Sequence, residues 1–175
     1  MRSPVTVEKV HRFMERLGRA VPGEGRVYFT GGVSALLMGW RETTVDLDVH
    51  PEPEPAGFFE ALPELKESLD VNVELAAPFH FIPALQDWRE RSPFIARHGR
   101  IDFFHCDFYS QAMGKLERAH ARDLLDVEQM TVRGLVIPVE LARHFDEVKS
   151  LLIRFPAVDA EAFAQRVAGY MEGHA

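Results

Sequence analysis

The alternation of side chains in Val45-Asp-Leu-Asp-Val49 constrains the fold of this chain more than any other feature. Consecutive side chains of a strand point to opposite faces, so the apolar residues share one face and Asp46 and Asp48 share the other. Aspartate is a poor strand former, and two carboxylates at this spacing repel each other unless a cation or a proton relieves them. The pattern predicts a strand that buries one face and presents two acids together, with a simple solvent-exposed face as the alternative.

A strand, a glycine turn and a short helix come before the acidic strand. Residues 26–30 are rich in β-branched and aromatic side chains, Gly31-Gly32 follow them directly, and residues 33–38 form a short apolar run. Glycines let the backbone approach a phosphate closely, and the start of a helix offers free N–H groups to negative charge. We therefore expect a turn that binds phosphate, with an ordinary tight turn as the alternative.

Periodicity in the rest of the chain predicts an α/β (α+β) fold. Further strands are predicted at residues 71–75, 94–97 and 101–108, and helices at residues 5–20, 58–69, 110–119, 122–132, 138–155 and 159–172. We expect a small mixed sheet flanked by helices, with a C-terminal helical extension. Residues 1–135 would form the core, and residues 136–175 would pack on it within a single domain.

Charge and cysteine content restrict the class of protein. The formal net charge of -7 argues against wrapping long nucleic acid through many phosphate contacts, although it permits a small anionic substrate. Cys106 is the only cysteine, which excludes an internal disulfide and predicts a reducing compartment. No apolar run is long enough to span a membrane, and the first residues lack the apolar stretch of a secretory signal. We expect a cytoplasmic protein with no membrane contact.

The stretch Gly31-Gly32-Val33-Ser34, followed by Arg41, Thr44 and Asp46-Leu47-Asp48, resembles the motif of the DNA polymerase β-type nucleotidyltransferase superfamily. The likeness covers residues 28–49 and is closest to small bacterial stand-alone members, including toxins of abortive-infection systems. A second stretch, from Lys115 through Arg118 and Arg122-Asp123-Leu-Leu-Asp126, resembles the helical motif that such proteins place after the sheet.

The resemblance implies a metal-dependent transferase that moves a nucleoside monophosphate from a nucleoside triphosphate to an acceptor: RNA such as tRNA, a protein or a small molecule. It implies that Asp46 and Asp48 hold Mg²⁺, with two ions and with Mn²⁺ as a substitute. A third acid on a later strand would activate the acceptor hydroxyl. Glu74 is the first choice by position, and Asp102 and Asp107 are the alternatives. A toxin of this kind would have an antitoxin partner.

The remaining candidates would bind the nucleotide, and they are Gly31, Gly32, Ser34, Arg41, Thr44, Lys115, Arg118 and Arg122. Arg41 would either contact phosphate or brace its loop through a nearby acid. If residues 110–126 formed one helix, the three cations after the sheet would share a face about 60° wide. A break near Ala119 would undo that alignment, and a solvated ion-paired surface is the alternative.

Two other functions are compatible with the same residues. A catalytically silent relative would keep the fold and bind a nucleotide or a partner protein. A metal-dependent phosphohydrolase would use similar acids without the glycine turn, but the histidine–acid pairs typical of that class are not evident. A zinc site is not expected, because no second His/Cys pair stands at ligand spacing from His105-Cys106.

Overall fold

The structure is a computed structural model that describes residues Met1–Ala175. It has the expected α/β class, with a five-stranded mixed sheet flanked by helices. The chain divides into two compact units. We call them the sheet unit, Met1–Ala77 with Ser92–Cys106, and the helical unit, Pro78–Arg91 with Asp107–Ala175. No helix combines the length and the apolar character that a membrane-spanning segment requires.

The elements of the sheet unit are α1 (Val7–Ala20), β1 (Gly25–Phe29), α2 (Gly32–Leu37), β2 (Asp46–Pro51), α3 (Phe58–Leu69), β3 (Asn72–Leu75), β4 (Phe94–His98) and β5 (Ile101–His105). Those of the helical unit are α4 (Trp88–Arg91), α5 (Phe108–Arg118), α6 (Ala121–Val132), α7 (Pro138–Val148) and α8 (Ala160–Gly173). Two 3-10 segments, Pro78–His80 and Lys149–Arg154, also belong to the helical unit.

The sheet has the strand order β3-β2-β1-β5-β4. β2 runs parallel to β3, and β1 runs parallel to β5, whereas β1 pairs with β2 and β4 with β5 in antiparallel fashion. The acidic strand β2 therefore lies between β3 and β1. One face of the sheet carries Leu47, Val49 and Phe29, each without exposed surface. The alternate residues of the strands form the opposite face, which we call the polar face.

Helix α1 covers the apolar face of the sheet. Its apolar residues recur every three or four positions, as an amphipathic helix requires, and Phe13 and Leu17 have no exposed surface. Thr6 caps the helix by accepting a hydrogen bond from Lys9 N. The ring of Phe13 lies 6.3 Å from that of Phe29 on β1. This packing buries the apolar face of the sheet, so the acids of β2 lie on the face opposite α1.

Two predicted elements need correction, and two further elements were not predicted. Strand β5 ends at His105, not Phe108, because Asp107 caps α5 and so begins a helix at Phe108. The helix expected over residues 138–155 is α-helical only to Val148 and continues as a 3-10 segment. Helix α4 and the 3-10 segment at Pro78–His80 were not predicted, since each is shorter than the window that periodicity needs.

Candidate functional site

The two acids of β2 lie on the polar face. Burial along the strand alternates, with Asp46 and Asp48 partly exposed and Leu47 and Val49 fully buried. Side chains two positions apart on a strand are separated by about 6–7 Å at Cα, because each residue rises about 3.3 Å. Two carboxylates so placed can both reach one divalent cation.

The carboxylate of Asp48 lies directly against the glycine turn. A Cβ placed on Gly31 would be 2.8 Å from Asp48 Oδ2, and Gly31 has φ +61°, a conformation that side chains rarely adopt. A hydrogen bond from Thr30 N to Asp48 O, 3.2 Å long, ties the end of β1 to the same strand. Glycine is therefore required at position 31 both for its backbone conformation and for the close approach of the acid.

Gly32, the next residue, is packed beneath Thr44 and Arg41. A Cβ placed on Gly32 would meet Thr44 Oγ1 at 2.1 Å and Arg41 Nη1 at 3.2 Å. Thr44 is fixed by a two-way backbone pairing with Val5, with N–O distances of 2.8 and 3.1 Å. The turn, the loop before β2 and the acidic strand therefore bring Gly31, Gly32, Arg41, Thr44 and Asp48 together.

Strand β3 adds an amide and a third acid to the polar face. Its register places Asn72 beside Asp46 and Glu74 beside Asp48. Asn72 Nδ2 donates to Asp46 Oδ1 at 2.7 Å and to Glu74 Oε1 at 3.2 Å. The amide thus bridges the first acid of β2 and the exposed acid of β3. Because registered partners of neighbouring strands share a face, Glu74 is the acid nearest in the sheet to Asp48.

The alternative third acids are held elsewhere. Asp102 lies on β5, which β1 separates from β2, and it pairs with Arg97 at 3.1 Å. Asp107 is 1% exposed; it caps α5 and binds Arg91 through both oxygens, at 3.1 and 2.9 Å. The carboxylate of Asp107 is therefore bound inside the helical unit, which contradicts the expectation that it could serve as the third acid.

The ligand atoms on the polar face are carboxylate oxygens. Oxygen ligands are what Mg²⁺ prefers, and Asp46 and Asp48 supply two carboxylates on one face. No group of three or more His, Cys, Asp or Glu side chains is arranged to hold a metal ion. The β2 pair fits Mg²⁺ in ligand type, whereas Glu74 is joined to it through the Asn72 amide.

Ser34 does not face a ligand. It has no exposed surface, and its hydroxyl donates to Phe29 O at 3.2 Å. His105 Nδ1 lies 3.1 Å from the same Ser34 Oγ. Burial lowers the pKa of His105 from its ordinary 6.5 to about 4, so the ring is neutral at physiological pH. The expectation that Ser34 contacts nucleotide is therefore replaced by a contact inside the sheet unit.

The helical motif of Lys115, Arg118 and Arg122 departs from its prediction. The helix breaks at Ala119, which has φ +55°, so α5 and α6 are separate and the shared face does not form. Lys115 is 4% exposed and its Nζ contacts Asp126 at 2.6 Å and Asp123 at 3.4 Å.

The two arginines of this motif are exposed. Arg118 reaches back to Asp123 at 2.8 Å, and Arg122 lies on the first turn of α6. Of the three cations, Lys115 in particular is used inside the helical unit.

Sequence reasoning missed two residues of the site, Asn72 and His105. The first alternates with Glu74 on β3, so the period of two could have placed it beside the acids once β2 and β3 were known to be neighbours. The second carries no local signal, because its contact with Ser34 joins residues 71 positions apart in the chain.

No family model, curated protein or solved structure matches this chain.

Proposed function

We propose that this protein is a Mg²⁺-dependent nucleotidyltransferase of the DNA polymerase β type, whose site is the glycine turn together with the acids of β2. The observation that carries the proposal is the contact of Asp48 with Gly31, where a Cβ would lie 2.8 Å from the carboxylate oxygen. This contact supports the proposal, because a carboxylate of the type that binds Mg²⁺ lies beside a backbone that has no side chain to keep a phosphate away. The superfamily likeness of residues 28–49 assigns the same roles to the same residues.

Each part of the site has a chemical task in nucleotidyl transfer. Bound Mg²⁺ would offset the negative charge of the triphosphate and of the transferring phosphorus. Asp46 and Asp48 would hold it, and Gly31 and Gly32 would let phosphate oxygens approach main-chain N–H groups. Arg41 is next to Gly32, where a guanidinium can bind phosphate through two N–H donors.

The acceptor hydroxyl needs a base to take its proton while pyrophosphate leaves. We assign this task to Glu74, because it is registered with Asp48 and is exposed to an incoming acceptor. In the proposed reaction the acceptor oxygen forms a bond to the α-phosphorus. The bond between the α-phosphorus and the oxygen that bridges it to the β-phosphorus breaks, so pyrophosphate leaves. The acceptor proton passes to Glu74. The acceptor class remains RNA, a protein or a small molecule; an antitoxin partner is a further part of the proposal.

The direct test is transfer of label from α-³²P nucleoside triphosphates, offered singly with Mg²⁺ or Mn²⁺ and a cell extract. We expect the wild-type protein to label an acceptor. Asp46→Asn with Asp48→Asn should reduce labelling by at least about a hundredfold, since both cation ligands lose their charge. Equal labelling by the wild type and the double variant would disprove the enzymatic proposal.

Matched variants locate the third acid. Glu74→Gln should reduce labelling, whereas Asp102→Asn, an acid on the same face of the sheet, should not if Glu74 is the base. The reverse result would assign the base to Asp102. Asp146→Asn removes an exposed acid that pairs with Lys149 in the helical unit, and it serves as the control expected to label as wild type does.

The bridging of Asp46 and Glu74 by Asn72 favours a second candidate, a catalytically silent module that binds nucleotide. In this arrangement the Asn72 amide, which donates to both acids, lies between them. The silent module predicts Mg²⁺-dependent binding of a triphosphate without labelling of any acceptor. Release of nucleoside monophosphate or free phosphate, with no acceptor labelled, would instead indicate a phosphohydrolase.

A further inference from the structure

A chain of buried hydrogen bonds closes the base of the glycine turn. The turn leaves β1 at Phe29 and enters α2 at Gly32. Phe29 O accepts from Cys106 N at 2.7 Å and from Ser34 Oγ at 3.2 Å. His105 Nδ1 lies 3.1 Å from Ser34 Oγ. Phe29, at the end of β1, and Ser34, in the first turn of α2, are thereby joined to each other and to the end of β5.

The direction of these bonds fixes the state of the histidine. Ser34 has one hydroxyl proton and donates it to Phe29 O, so the contact with His105 requires the imidazole to be the donor. When the Ser34 hydroxyl donates to Phe29 O in this way, His105 carries its proton on Nδ1. Ser34 is fully buried and His105 is 7% exposed. Water has little access to compete for either bond, and a buried hydrogen bond of this kind is costly to remove.

We infer that His105 is a positioning residue, whose hydrogen bond to Ser34 holds the Gly31-Gly32 turn in place against Asp48. Residues 29 and 34 lie on either side of the turn, and His105 fixes Ser34. We call the two hydrogen bonds of Ser34 Oγ, to Phe29 O and to His105 Nδ1, the bracket. Gly31 has positive φ, which glycine adopts about as readily as negative φ, so the contacts around the turn help to select this conformation. Sequence gives no reason for a buried histidine here, and the bracket supplies one.

The consequence for substrate rests on the proposed function. If the turn binds triphosphate, loss of the bracket weakens binding without touching any group that contacts the nucleotide. His105 would then act through the backbone and not as an acid or a base. Its effect should appear in the affinity for Mg²⁺–ATP and Mg²⁺–GTP and in KM more than in kcat, because the cation ligands are unchanged.

Amide hydrogen exchange measures the bracket without any assumption about function. Ala35 N donates to Gly31 O and reports on the turn, whereas Val10 N donates to Thr6 O and reports on α1. In His105→Phe, which keeps a ring and loses the donor, exchange at Ala35 should rise about fivefold or more while Val10 is unchanged. His105→Asn places an amide nitrogen near the position of Nδ1 and should restore the wild-type rate.

The control is His144→Phe, because His144 is also a buried histidine, 5% exposed, but belongs to the helical unit. It should leave exchange at Ala35 unchanged. If His105→Phe does not fold, Ser34→Ala removes the same bond with a smaller change and should give the same increase. Unchanged exchange at Ala35 in a folded variant overturns the inference, and so does a failure of His105→Asn to restore it.

Binding separates the inference from the proposed function. Calorimetry with Mg²⁺–ATP and Mg²⁺–GTP should show about fivefold weaker affinity in His105→Phe and recovery in His105→Asn, as one lost hydrogen bond implies. If the wild-type protein binds neither nucleotide and the exchange result still holds, the bracket stands and the nucleotidyltransferase proposal fails. If the wild type binds nucleotide and exchange at Ala35 does not change in His105→Phe, the role inferred for His105 fails while nucleotide binding stands.

Discussion

The sequence predicts two groups of functional charges. Those on the acidic strand of the sheet unit would hold metal, and those on the α5–α6 pair of the helical unit would bind nucleotide. Asp46 and Asp48 are partly exposed beside a glycine turn. Lys115, by contrast, is buried between Asp123 and Asp126. The acids of β2 are partly exposed, whereas the central cation of the other group is buried and paired inside its own unit.

The difference follows from how far each pattern depends on its surroundings. On a strand, two residues separated by one position share a face whatever else the chain does. On a helix, residues 115 and 122 share a face only if the helix continues between them. Ala119 adopts a left-handed conformation, so the helix ends and the cations take separate directions.

The largest expected effect on stability lies in the α5–α6 pair. Lys115→Met should lower the free energy of unfolding by about 3–5 kcal/mol, because Asp126 keeps its buried charge and loses its cation. Urea denaturation measures the change. Arg118→Gln removes a cation that is 48% exposed and should cost at most about 1 kcal/mol. Equal effects of the two variants would contradict the buried pairing.

A second effect, of about the same size, concerns His105 and pH. Its folded-state pKa of about 4 lies below the ordinary 6.5, so between these values the unfolded chain binds a proton that the folded chain does not. The contribution is fully present above pH 6.5. It should be lost as the pH falls to 4, by up to about 3 kcal/mol. Urea denaturation at several pH values between 4 and 6.5 gives the free energy of unfolding as a function of pH. This free energy should rise less steeply with pH in His105→Phe than in the wild type. Equal pH dependence in the two proteins would contradict a neutral buried imidazole.

A smaller effect is expected at the glycine turn. Gly31→Ala should cost about 1–2 kcal/mol through its positive φ and should also displace Asp48. Gly39→Ala is the matched control, because Gly39 has φ +86° and nothing within 4 Å of a Cβ. Both variants should lose stability in thermal denaturation, but only Gly31→Ala should weaken binding of Mg²⁺–ATP. Equal affinity of the two variants for Mg²⁺–ATP would show that the glycine turn does not contribute to nucleotide binding.

The smallest effect on stability is expected on β2 itself. Asp46→Asn keeps an oxygen for Asn72 Nδ2 and relieves repulsion with Asp48, so the free energy of unfolding should change by less than about 0.5 kcal/mol. The same variant should nevertheless reduce Mg²⁺-dependent labelling strongly. A large loss of stability without loss of labelling would show that Asp46 is a structural residue.

Local patterns predicted much of the sheet unit. Alternation placed β2 and β3, and the glycines marked the turn between β1 and α2. The end of β5 was misplaced by three residues, because Asp107 acts as a helix cap and the apolar Phe108 looks like a continuation of the strand. The division of the 138–155 helix was also missed, since its apolar spacing stays helical while its hydrogen bonding changes.

The sequence by itself determined that Asp46 and Asp48 share a face and that glycines come shortly before them, because both follow from backbone geometry over a few residues. Only the tertiary structure decided that β3 lies beside β2, so that Glu74 joins Asp48 and Asp102 does not. It also decided that Ser34 contacts His105 and that Lys115 forms salt bridges with Asp123 and Asp126. Strand order and burial are set by contacts between distant parts of the chain, and local spacing does not encode them.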